Sequence, residues 1–318
     1  KNIKIKNVLV TGAGGSIGKE LCKQIIHLKP NNIILLENNE YALYKAHMEL
    51  KEIISYIPII PKLSSIMDSL KFKEILQTYE IHTIYHAAAY KHVPLVENNP
   101  LEGLKNNILG TYNCVKGAIE TNVDTFILIS TDKAVRPSNV MGASKRFSEL
   151  ILQAAQKLSS GTNFSMVRFG NVLDSAGSVV PLFNEQIERG GPITITHPDV
   201  TRYFMTIREA CQLILQAGKI ANGGEIFVLD MGVPVKITYL AEQMIRLSGL
   251  VPNKDISIKF IGLRPGEKMH EELFHKSEIT EKTSHEKILL AKHTILNHSE
   301  FEAKVRTIFD ACNDFNDS

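Results

Sequence analysis

The residues best suited to acid–base chemistry lie together at positions 130–133, Ser-Thr-Asp-Lys, with a second lysine at Lys145. They follow an apolar run at 126–129, Phe-Ile-Leu-Ile, which predicts a buried strand. Open α/β sheets bind their ligands outside the carboxyl ends of the strands. A hydroxyl, a carboxylate and an amine leaving one strand end together therefore predict a proton-transfer site at a sheet edge.

The elements that must position this cluster alternate along the first half of the chain. Short runs rich in Val, Ile and Leu alternate with helical patterns, which predicts an α/β fold with a Rossmann-type doubly wound parallel sheet. Strands are expected at 7–10, 32–36, 57–63, 83–85, 125–129 and 164–169, and helices at about 17–28, 41–54, 70–79, 100–121 and 139–158.

The pattern changes after Gly170, where the elements become more mixed. Strands are expected at 193–196, 226–229 and 256–261, and helices up to 188, at 207–217 and at 237–248. We expect a Rossmann domain over residues 1–170. Residues 171–318 should form mainly a smaller mixed α/β lobe for substrate binding, with some segments returning to the Rossmann domain.

The first strand runs into a glycine-rich stretch, TGAGGSIG at 11–18, that also opens a helix. In this context glycines let the backbone approach a pyrophosphate, and the helix N-terminus offers N–H groups to it. Glu37 ends the second strand, where a carboxylate can accept hydrogen bonds from the adenosine ribose, and Glu40 is the substitute if that strand ends later. A carboxylate repels a 2′-phosphate, and the asparagines at 38 and 39 carry no cation, so the sequence favours NAD over NADP.

Composition excludes several other classes of protein. The formal net charge is +2, so nothing indicates nucleic-acid binding. The four cysteines (Cys22, Cys114, Cys211 and Cys312) form no CxxC pair, and buried thiols are expected rather than a metal or redox site. His86 and His92 have no ligand partner at metal spacing, so packing roles are expected and no metal is predicted.

Several longer strings resemble one family. They are HAAAYKHVPLVE at 86–97, STDKAVRP at 130–137, RFGNVL at 168–173 and GLRPGEK at 262–268. Together with the glycine loop they resemble bacterial UDP-N-acetylglucosamine 4,6-dehydratases, within the extended short-chain dehydrogenase/reductase superfamily, over nearly the whole chain. The usual Tyr-x-x-x-Lys pair instead has Met141 before Lys145. This departure is similar to the longer, membrane-associated branch that retains configuration at C5. Asp174 stands where the family has glycine, and we expect it to point away from the pyrophosphate.

The resemblance implies a reaction and roles for residues. The reaction is NAD-dependent dehydration of UDP-N-acetylglucosamine to a UDP-2-acetamido-2,6-dideoxy-hexos-4-ulose for bacterial glycan biosynthesis. By resemblance, Lys133 takes the C5 proton, Asp132 protonates the departing O6 hydroxyl, and Lys145 holds the nicotinamide ribose. Met141 has no exchangeable proton, so we expect Thr131, or a water held by Thr131 and Lys145, to relay the O4 proton.

The remaining expected contacts follow from the same motifs. Arg202 and Arg264 are candidates for the diphosphate, and Glu267 for the uridine ribose. The expected cofactor contacts are Gly12, Gly15, Ser16, Ile17, Gly18, Glu37, Ser65, Ile66, Ala87, Ala88, Ala89, Lys91 and Lys145. The expected substrate contacts are Lys91, Asn171, Ser178, Val179, Thr194, Arg202, Arg264 and Glu267.

Three other functions stay open at this point: a C5-inverting 4,6-dehydratase, a UDP-sugar 4-epimerase, and a non-catalytic NAD-binding regulator. An epimerase returns the hydride to C4 and needs no acid–base pair at C5 and C6, so the adjacent Asp132 and Lys133 argue against it. We expect a homodimer or higher homo-oligomer, paired through the helices at 100–121 and 139–158. The chain starts without Met, so we expect a fragment of a longer protein. The resemblance to the membrane-associated branch implies membrane association through a segment absent from this chain, at the cytoplasmic face of the bacterial inner membrane.

Overall fold

The computed structural model of the chain describes residues 3–53, 56–159, 161–275 and 278–292, together with positions 303, 307 and 310. The strands are β1 (Asn7–Thr11), β2 (Asn32–Glu37), β3 (Ile59–Leu63), β4 (Thr83–His86), β5 (Thr125–Ile129), β6 (Asn163–Arg168), β7 (Asn171–Val172), β8 (Ile193–Ile195), β9 (Thr201–Arg202), β10 (Phe204–Met205), β11 (Ile226–Leu229), β12 (Val235–Lys236), β13 (Ile258–Phe260), β14 (Ile279–Lys282) and β15 (Ile288–Lys292). The α-helices are α1 (Ser16–His27), α2 (Glu40–Ile53), α3 (Ser69–Thr78), α4 (Val93–Asn98), α5 (Pro100–Leu104), α6 (Gly110–Glu120), α7 (Val140–Leu158), α8 (Val179–Glu188), α9 (Ile207–Ile220) and α10 (Ile237–Leu247).

A large sheet forms the centre of the molecule, and within the described residues it has nine strands in the order β14-β15-β11-β6-β5-β4-β1-β2-β3. Seven neighbouring strands of this sheet run parallel to one another: β11, β6, β5, β4, β1, β2 and β3. Strands such as β1 and β5 are buried along their whole length, which explains their continuous apolar sequences. The expected doubly wound parallel sheet is confirmed.

The strand order reverses between β1 and β4, and this switch point positions the site. Thr11 pairs with Leu36 on one side and with His86 on the other. The glycine loop and the alanines that follow β4 therefore leave the same edge of the sheet. Residue 130, which follows β5, leaves that edge too, because β5 runs parallel to β4. Ligands of such sheets bind in the crevice at this point.

Segments from the second half of the chain return to this sheet. β11 pairs in parallel with β6, and β15 and β14 extend the sheet in antiparallel fashion. Helix α9 packs against α1, where the Cys211 thiol lies 3.7 Å from the Ile17 carbonyl oxygen. The sequence did not predict β14 and β15, because Ile-Thr-Glu-Lys alone carries little strand signal. The domain boundary at 170/171 stays a prediction.

A second apolar cluster holds the smaller lobe together. It comprises Phe183, Ile187, Ile193, Ile195, Val200, Ile237, Ala241, Met244, Ile245 and Ile256. Helices α8 and α10 surround two strand pairs there, β8 with β13 and β9 with β12. Strands β7, β9, β10 and β12 have two residues each, too few to show a period of two in the sequence.

The long helix expected over 100–121 is built differently from a regular α-helix. A π-helical segment, Lys105–Leu109, lies between α5 and α6, and α4 precedes it in a stretch without a prediction. Asn107, in the π-helical segment, donates to Ser144 Oγ (2.9 Å) and to the Tyr90 carbonyl oxygen (3.0 Å), and accepts from Tyr90 N–H (2.8 Å). The segment therefore ties α7 to the loop after β4. Such segments are frequent at functional sites.

Candidate active site

Two adjoining cavities lie at the carboxyl edge of the sheet. The larger, of about 870 Å³, reaches from the glycine loop past the end of β5 to the smaller lobe. The smaller, of about 300 Å³, lies between the glycine loop and the end of β2. Gly12, Gly15, Ala87, Ala89 and Tyr90 line both. An extended ligand can therefore lie along the edge from β2 to β5 and reach the lobe.

The glycine loop has the backbone that a pyrophosphate site requires. Gly12 has φ 64°, and a Cβ there would lie 2.8 Å from the backbone nitrogen of Ala88. Only glycine accommodates that approach. Helix α1 begins at Ser16, and its N-cap, Gly15, provides no side-chain hydrogen bond. No side chain of the N-cap occupies the first N–H groups of α1, which leaves them available to an anionic group.

The carboxylate of Glu37 lies at the other end of this region and lines the smaller cavity, whereas Glu40 does not. Its Oε2 accepts from Gly14 N–H (3.0 Å), and its Oε1 accepts from the N–H groups of Asn38 (3.0 Å) and Asn39 (3.1 Å). Three backbone donors hold the carboxylate in place. A ligand phosphate at this end would face negative charge, so the residues fit NAD better than NADP.

The other expected cofactor residues mostly meet at these cavities. Ser16, Ile17, Gly18, Lys91 and Lys145 line the larger cavity, Ile66 and Ala88 line the smaller, and Ala87 and Ala89 line both. Ser65 is the exception and lies outside both linings, where Ser64 takes its place. The Ser65 hydroxyl accepts from Met67 N–H (3.1 Å), so a local turn engages it. Whether the lining residues contact a cofactor stays a prediction.

Thr131, Asp132 and Lys133 form one hydrogen-bonded cluster after β5. Asp132 is fully buried, and its Oδ1 accepts from Thr131 Oγ1 (2.9 Å) and from Lys133 Nζ (3.0 Å). Asp132 Oδ2 has no hydrogen-bond partner among the described residues. Lys133 Nζ also donates to Asn171 Oδ1 (3.2 Å). Acid and base are therefore in direct contact, and Thr131 and Lys133 line the larger cavity.

Lys145 and Met141 come to this cluster from α7. Lys145 Nζ donates to the Ile129 carbonyl oxygen (2.6 Å), and burial lowers the pKa of Lys145 to about 8, against the opposing effect of Glu149. Met141 is buried and lines the cavity. A Cβ on Gly142 would overlap the Lys133 carbonyl oxygen, so glycine lets α7 begin against the Lys133 turn.

The sequence missed a buried ionic network behind the cluster. Glu149, on α7, accepts from Arg168 Nε and Nη2 (both 2.7 Å), from Ser130 Oγ (2.6 Å) and from Arg146 Nη1 (2.8 Å). Burial raises the pKa of Glu149, but the cationic partners and Ser130 outweigh burial and bring it to about 2. No local signal separates this glutamate from one on a solvated helix face. The network joins β5, α7 and β6 where the site is built.

Glu271 is a second residue that sequence reasoning missed. It is 8% exposed, lines the larger cavity, and its Oε1 lies 3.8 Å from Lys133 Nζ. Burial raises the pKa of Glu271, with the charge of Asp132 acting in the same direction and Lys133 opposing it. It comes from the charged stretch EKMHEE at 267–272, which suggests a solvated surface. Glu271 lies near Lys133 only because the folded chain brings these two distant positions together.

The smaller lobe closes the far end of the larger cavity. Lys91, Asn171, Ser178, Val179, Arg202, Arg264 and Glu267 line it, as expected for substrate contacts. Arg202 is buried and donates to Glu267 Oε1 (3.0 Å) and to the carbonyl oxygens of Thr201 and Met269, whereas Arg264 is exposed. Thr194 lies outside the lining, because Gln186 engages both its hydroxyl (2.8 Å) and its N–H (3.0 Å).

The structure also shows the surroundings of the cysteines, of His86 and of Asp174. Cys22, Cys114 and Cys211 are free and buried as expected, and Cys312 lies outside the described residues. His86 lies between the hydroxyls of Thr11 (2.8 Å) and Thr111 (3.0 Å), in a packing role. Asp174 is exposed with φ 58°, a conformation that explains why a glycine is expected there.

The described part of the chain contains no group of three His, Cys, Asp or Glu side chains placed to hold a metal ion. None of its helices has both the length and the apolar character needed to cross a membrane.

Comparison with known proteins gives matches over most of the chain. The sequence profile of the family described as "Polysaccharide biosynthesis protein" matches residues 8–293. The capsular polysaccharide biosynthesis protein CapD of Staphylococcus aureus is 53% identical over 288 residues, 90% of this chain. The match spans only 48% of CapD, so this chain covers about half the length of that relative.

Two further relatives carry names of enzymes. A UDP-N-acetylglucosamine 4,6-dehydratase (inverting) of Campylobacter jejuni is 36% identical over 270 residues, 84% of this chain and 76% of that protein. A UDP-glucose 4-epimerase of Rickettsia rickettsii is also 36% identical, over 278 residues, 86% of this chain and 79% of that protein. Sequence identity alone therefore does not separate the two activities.

A solved structure shares the fold over nearly the whole length. The X-ray structure of Pen from Bacillus thuringiensis has a TM-score of 0.84 and 31% sequence identity, and the alignment covers 96% of this chain and 99% of that chain.

Proposed function

The chain belongs to the polysaccharide biosynthesis protein family, and we propose that it catalyses the NAD-dependent loss of water from UDP-N-acetylglucosamine. The relative of Campylobacter jejuni named as a 4,6-dehydratase of this nucleotide sugar supports the proposal. The product is a UDP-2-acetamido-2,6-dideoxy-hexos-4-ulose, with the configuration at C5 retained. The observation that carries the proposal is the 3.0 Å contact between Lys133, which lines the same cavity as the dinucleotide loop, and Asp132, which is buried directly behind it. An acid beside a base, near a hydride acceptor, is what a 4,6-elimination needs.

The residues present fit NAD at the β1–β4 switch point. Gly12 would allow close approach of the pyrophosphate, the first turn of α1 would hold it, and Glu37 would accept from the adenosine ribose. When bound, NAD supplies the hydride acceptor for C4 and the hydride donor for C6. Lys145, whose amine donates to the Ile129 carbonyl oxygen, would hold the nicotinamide ribose.

The O4 proton leaves the sugar through Thr131. The Thr131 hydroxyl donates to Asp132 Oδ1 at 2.9 Å, so Thr131 can pass its own proton to Asp132 as it receives the one from O4. Met141 occupies the position of the usual tyrosine and offers no proton. This relay supports a dehydratase in particular, because the proton arrives on the group that must later protonate O6.

Elimination then uses both members of the pair. Lys133, once neutral, takes the proton from C5, which the ketone at C4 makes acidic. Asp132 gives its proton to O6, and water leaves. Lys133 returns the proton to C5 after the hydride reaches C6. Return from the same lysine, on the face it removed the proton from, gives retention at C5.

The proposed test is direct. The purified chain is incubated with NAD and UDP-N-acetylglucosamine, and mass spectrometry follows the loss of one water. Asp132→Asn and Lys133→Met should each slow water loss by about 10²–10⁴-fold, since each removes a proton-transferring group. Asp124→Asn, which removes a half-exposed carboxylate paired with Lys6, is the matched control.

Other outcomes would select the other functions. A 4-epimer without mass loss would replace the proposal with an epimerase, in line with the Rickettsia relative. NAD binding without turnover of any UDP-hexose would indicate a regulator. NMR coupling constants of the fresh product distinguish retention from inversion at C5.

A further inference from the structure

The cluster after β5 holds one more carboxyl group than the proposed reaction uses. The Glu271 side chain is 4% exposed, and its Oε1 lies 3.8 Å from Lys133 Nζ. Its Oε2 is buried and has no hydrogen-bond partner in the described parts of the chain. Two buried carboxyl groups, Asp132 and Glu271, thus flank a single lysine at the cavity wall.

Four charged side chains act on Glu271: Asp132, Lys133, Arg202 and Lys268. Arg202 is already bonded to Glu267 (3.0 Å), and Lys268 Nζ donates to the Val135 carbonyl oxygen (2.9 Å). With both flanking carboxyls ionised, Lys133 would have to balance two buried negative charges.

One proton shared by the two carboxyls relieves this excess, and the contacts indicate where it resides. Asp132 Oδ1 accepts two hydrogen bonds, one from an ammonium group at 3.0 Å. The nearest ammonium to Glu271, on Lys133, is 3.8 Å away, beyond hydrogen-bond distance. Hydrogen bonds to the charged form favour it, and within the described residues Glu271 has no such bond from an ammonium group, so the proton resides on Glu271.

We propose that Glu271 is a positioning residue for Lys133: it stays a neutral carboxylic acid beside the lysine, and its neutrality allows Lys133 to become the neutral base at C5. The inference rests on the proposed dehydration. Glu271 itself transfers no proton to the substrate.

The reason lies in the order of the proton transfers. When Asp132 receives the O4 proton, the Lys133 ammonium loses its hydrogen-bonded carboxylate, and Lys133 releases one proton to solvent. It then takes the C5 proton, returns it to C5, and regains a proton from solvent, so the cycle balances. An ionised Glu271 at 3.8 Å would hold the ammonium instead. An opposite charge at this range favours the charged form by about 10- to 1,000-fold.

The test compares pH profiles of water loss for the wild type and Glu271→Gln, which is neutral at every pH. The wild-type rate should fall as pH rises through the pKa of Glu271, which lies above the ordinary value of 4.5. Glu271→Gln should lack that decline, so its rate relative to wild type should rise by about 10- to 1,000-fold at pH values above the decline. Below the decline its rate should stay within about tenfold of wild type.

Two results would overturn the inference. An identical decline with rising pH in both proteins would mean that ionisation of Glu271 does not matter. A loss of about 10²–10⁴-fold at every pH would make Glu271 a proton donor or acceptor for the substrate. Glu272→Gln is the matched control, because it removes the neighbouring carboxylate that pairs with Arg136, and it should keep the wild-type decline.

An infrared measurement separates this inference from the proposed function. The difference spectrum between wild type and Glu271→Gln at neutral pH should show the C=O stretch of one protonated carboxylic acid, and this needs no turnover. If the wild type dehydrates no UDP-hexose, the proposed function fails while the spectrum still reports on Glu271. A carboxylate signal in its place would refute the neutral state. Should Glu271→Gln melt early, Glu271→Met, also uncharged, provides the same comparison.

Discussion

Replacement of Glu149 by glutamine tests how the site is held in place. The wild-type carboxylate receives two hydrogen bonds from Arg168, one from Ser130 and one from Arg146, at 2.6 to 2.8 Å. Glutamine keeps the size but removes the charge and turns an N–H₂ group towards one of these donors. Arg168 would keep its bonds to Glu278, at 3.1 and 3.2 Å, but would lose its charged partner at position 149.

The pKa shift of Glu149 and the usual cost of breaking a buried ion pair give the expected loss of stability. The pKa of Glu149 falls from 4.5 to about 2, which corresponds to about 3 kcal/mol of preferential stabilisation of the charged form. Removing one partner of a buried ion pair costs about 3–5 kcal/mol in proteins generally. We therefore expect Glu149→Gln to lower the free energy of unfolding by about 3–4 kcal/mol.

Urea unfolding at neutral pH measures this loss, through the midpoint and slope of the transition. The matched control is Glu185→Gln, which breaks an exposed pair with Arg189 and should cost less than about 1 kcal/mol. The contribution of Glu149 is complete above pH 4.5 and is lost as pH falls towards 2, because its folded pKa is the lower one. The difference between wild type and variant should shrink across that range. A cost no larger than that of Glu185→Gln would refute the reasoning.

Three further predictions concern the site itself. In the wild type, the free energy of unfolding should rise by about 3 kcal/mol between pH 8 and 10.5, because in this range the unfolded chain binds a proton that the buried Lys145 amine does not. Lys145→Met should remove this rise, and urea unfolding across the range measures it. Thr131→Val should slow C4 oxidation by about 10²–10⁴-fold, while Met141→Tyr should change it by less than about tenfold, as followed by NADH absorbance in single turnovers. Arg264→Met should raise KM for the UDP-sugar with little loss of stability. Arg202→Met should also lower the free energy of unfolding by about 1–3 kcal/mol, because it removes the cation that pairs with the half-buried Glu267.

Each of these has an outcome that would contradict it. A wild-type profile retained in Lys145→Met would mean that another group titrates. A large gain in Met141→Tyr would show that the Thr131 relay is a poor substitute for tyrosine. Equal losses of stability in the two arginine variants would contradict the different burial of Arg202 and Arg264.

The sequence predicts best those features that depend on residues close together in the chain. The parallel sheet was predictable because burial on both faces demands continuous apolar strands, as in β1 and β5. The dinucleotide loop was predictable because Gly12 answers a local backbone requirement. Asp132 and Lys133 were predictable as a pair because they are covalent neighbours. In each case the determining distance along the chain is short.

Other features depend on hydrogen bonds that residue types alone do not reveal. Ser65 and Thr194 have suitable chemistry, but Met67 N–H and Gln186 engage them outside the cavity linings, and their ligand contacts stay predictions. Short strands such as β9 gave no signal, because two residues show no period.

The sequence by itself therefore determined the fold class, the location of the cofactor loop and the adjacency of Asp132 and Lys133. Only the tertiary structure decided the charge environment of that pair. Glu271 approaches Lys133 from 138 positions further along the chain, and Arg168 approaches Glu149 from the next strand. Ionisation depends on burial and on charges a few ångströms away in space, and neither quantity can be read from residue order.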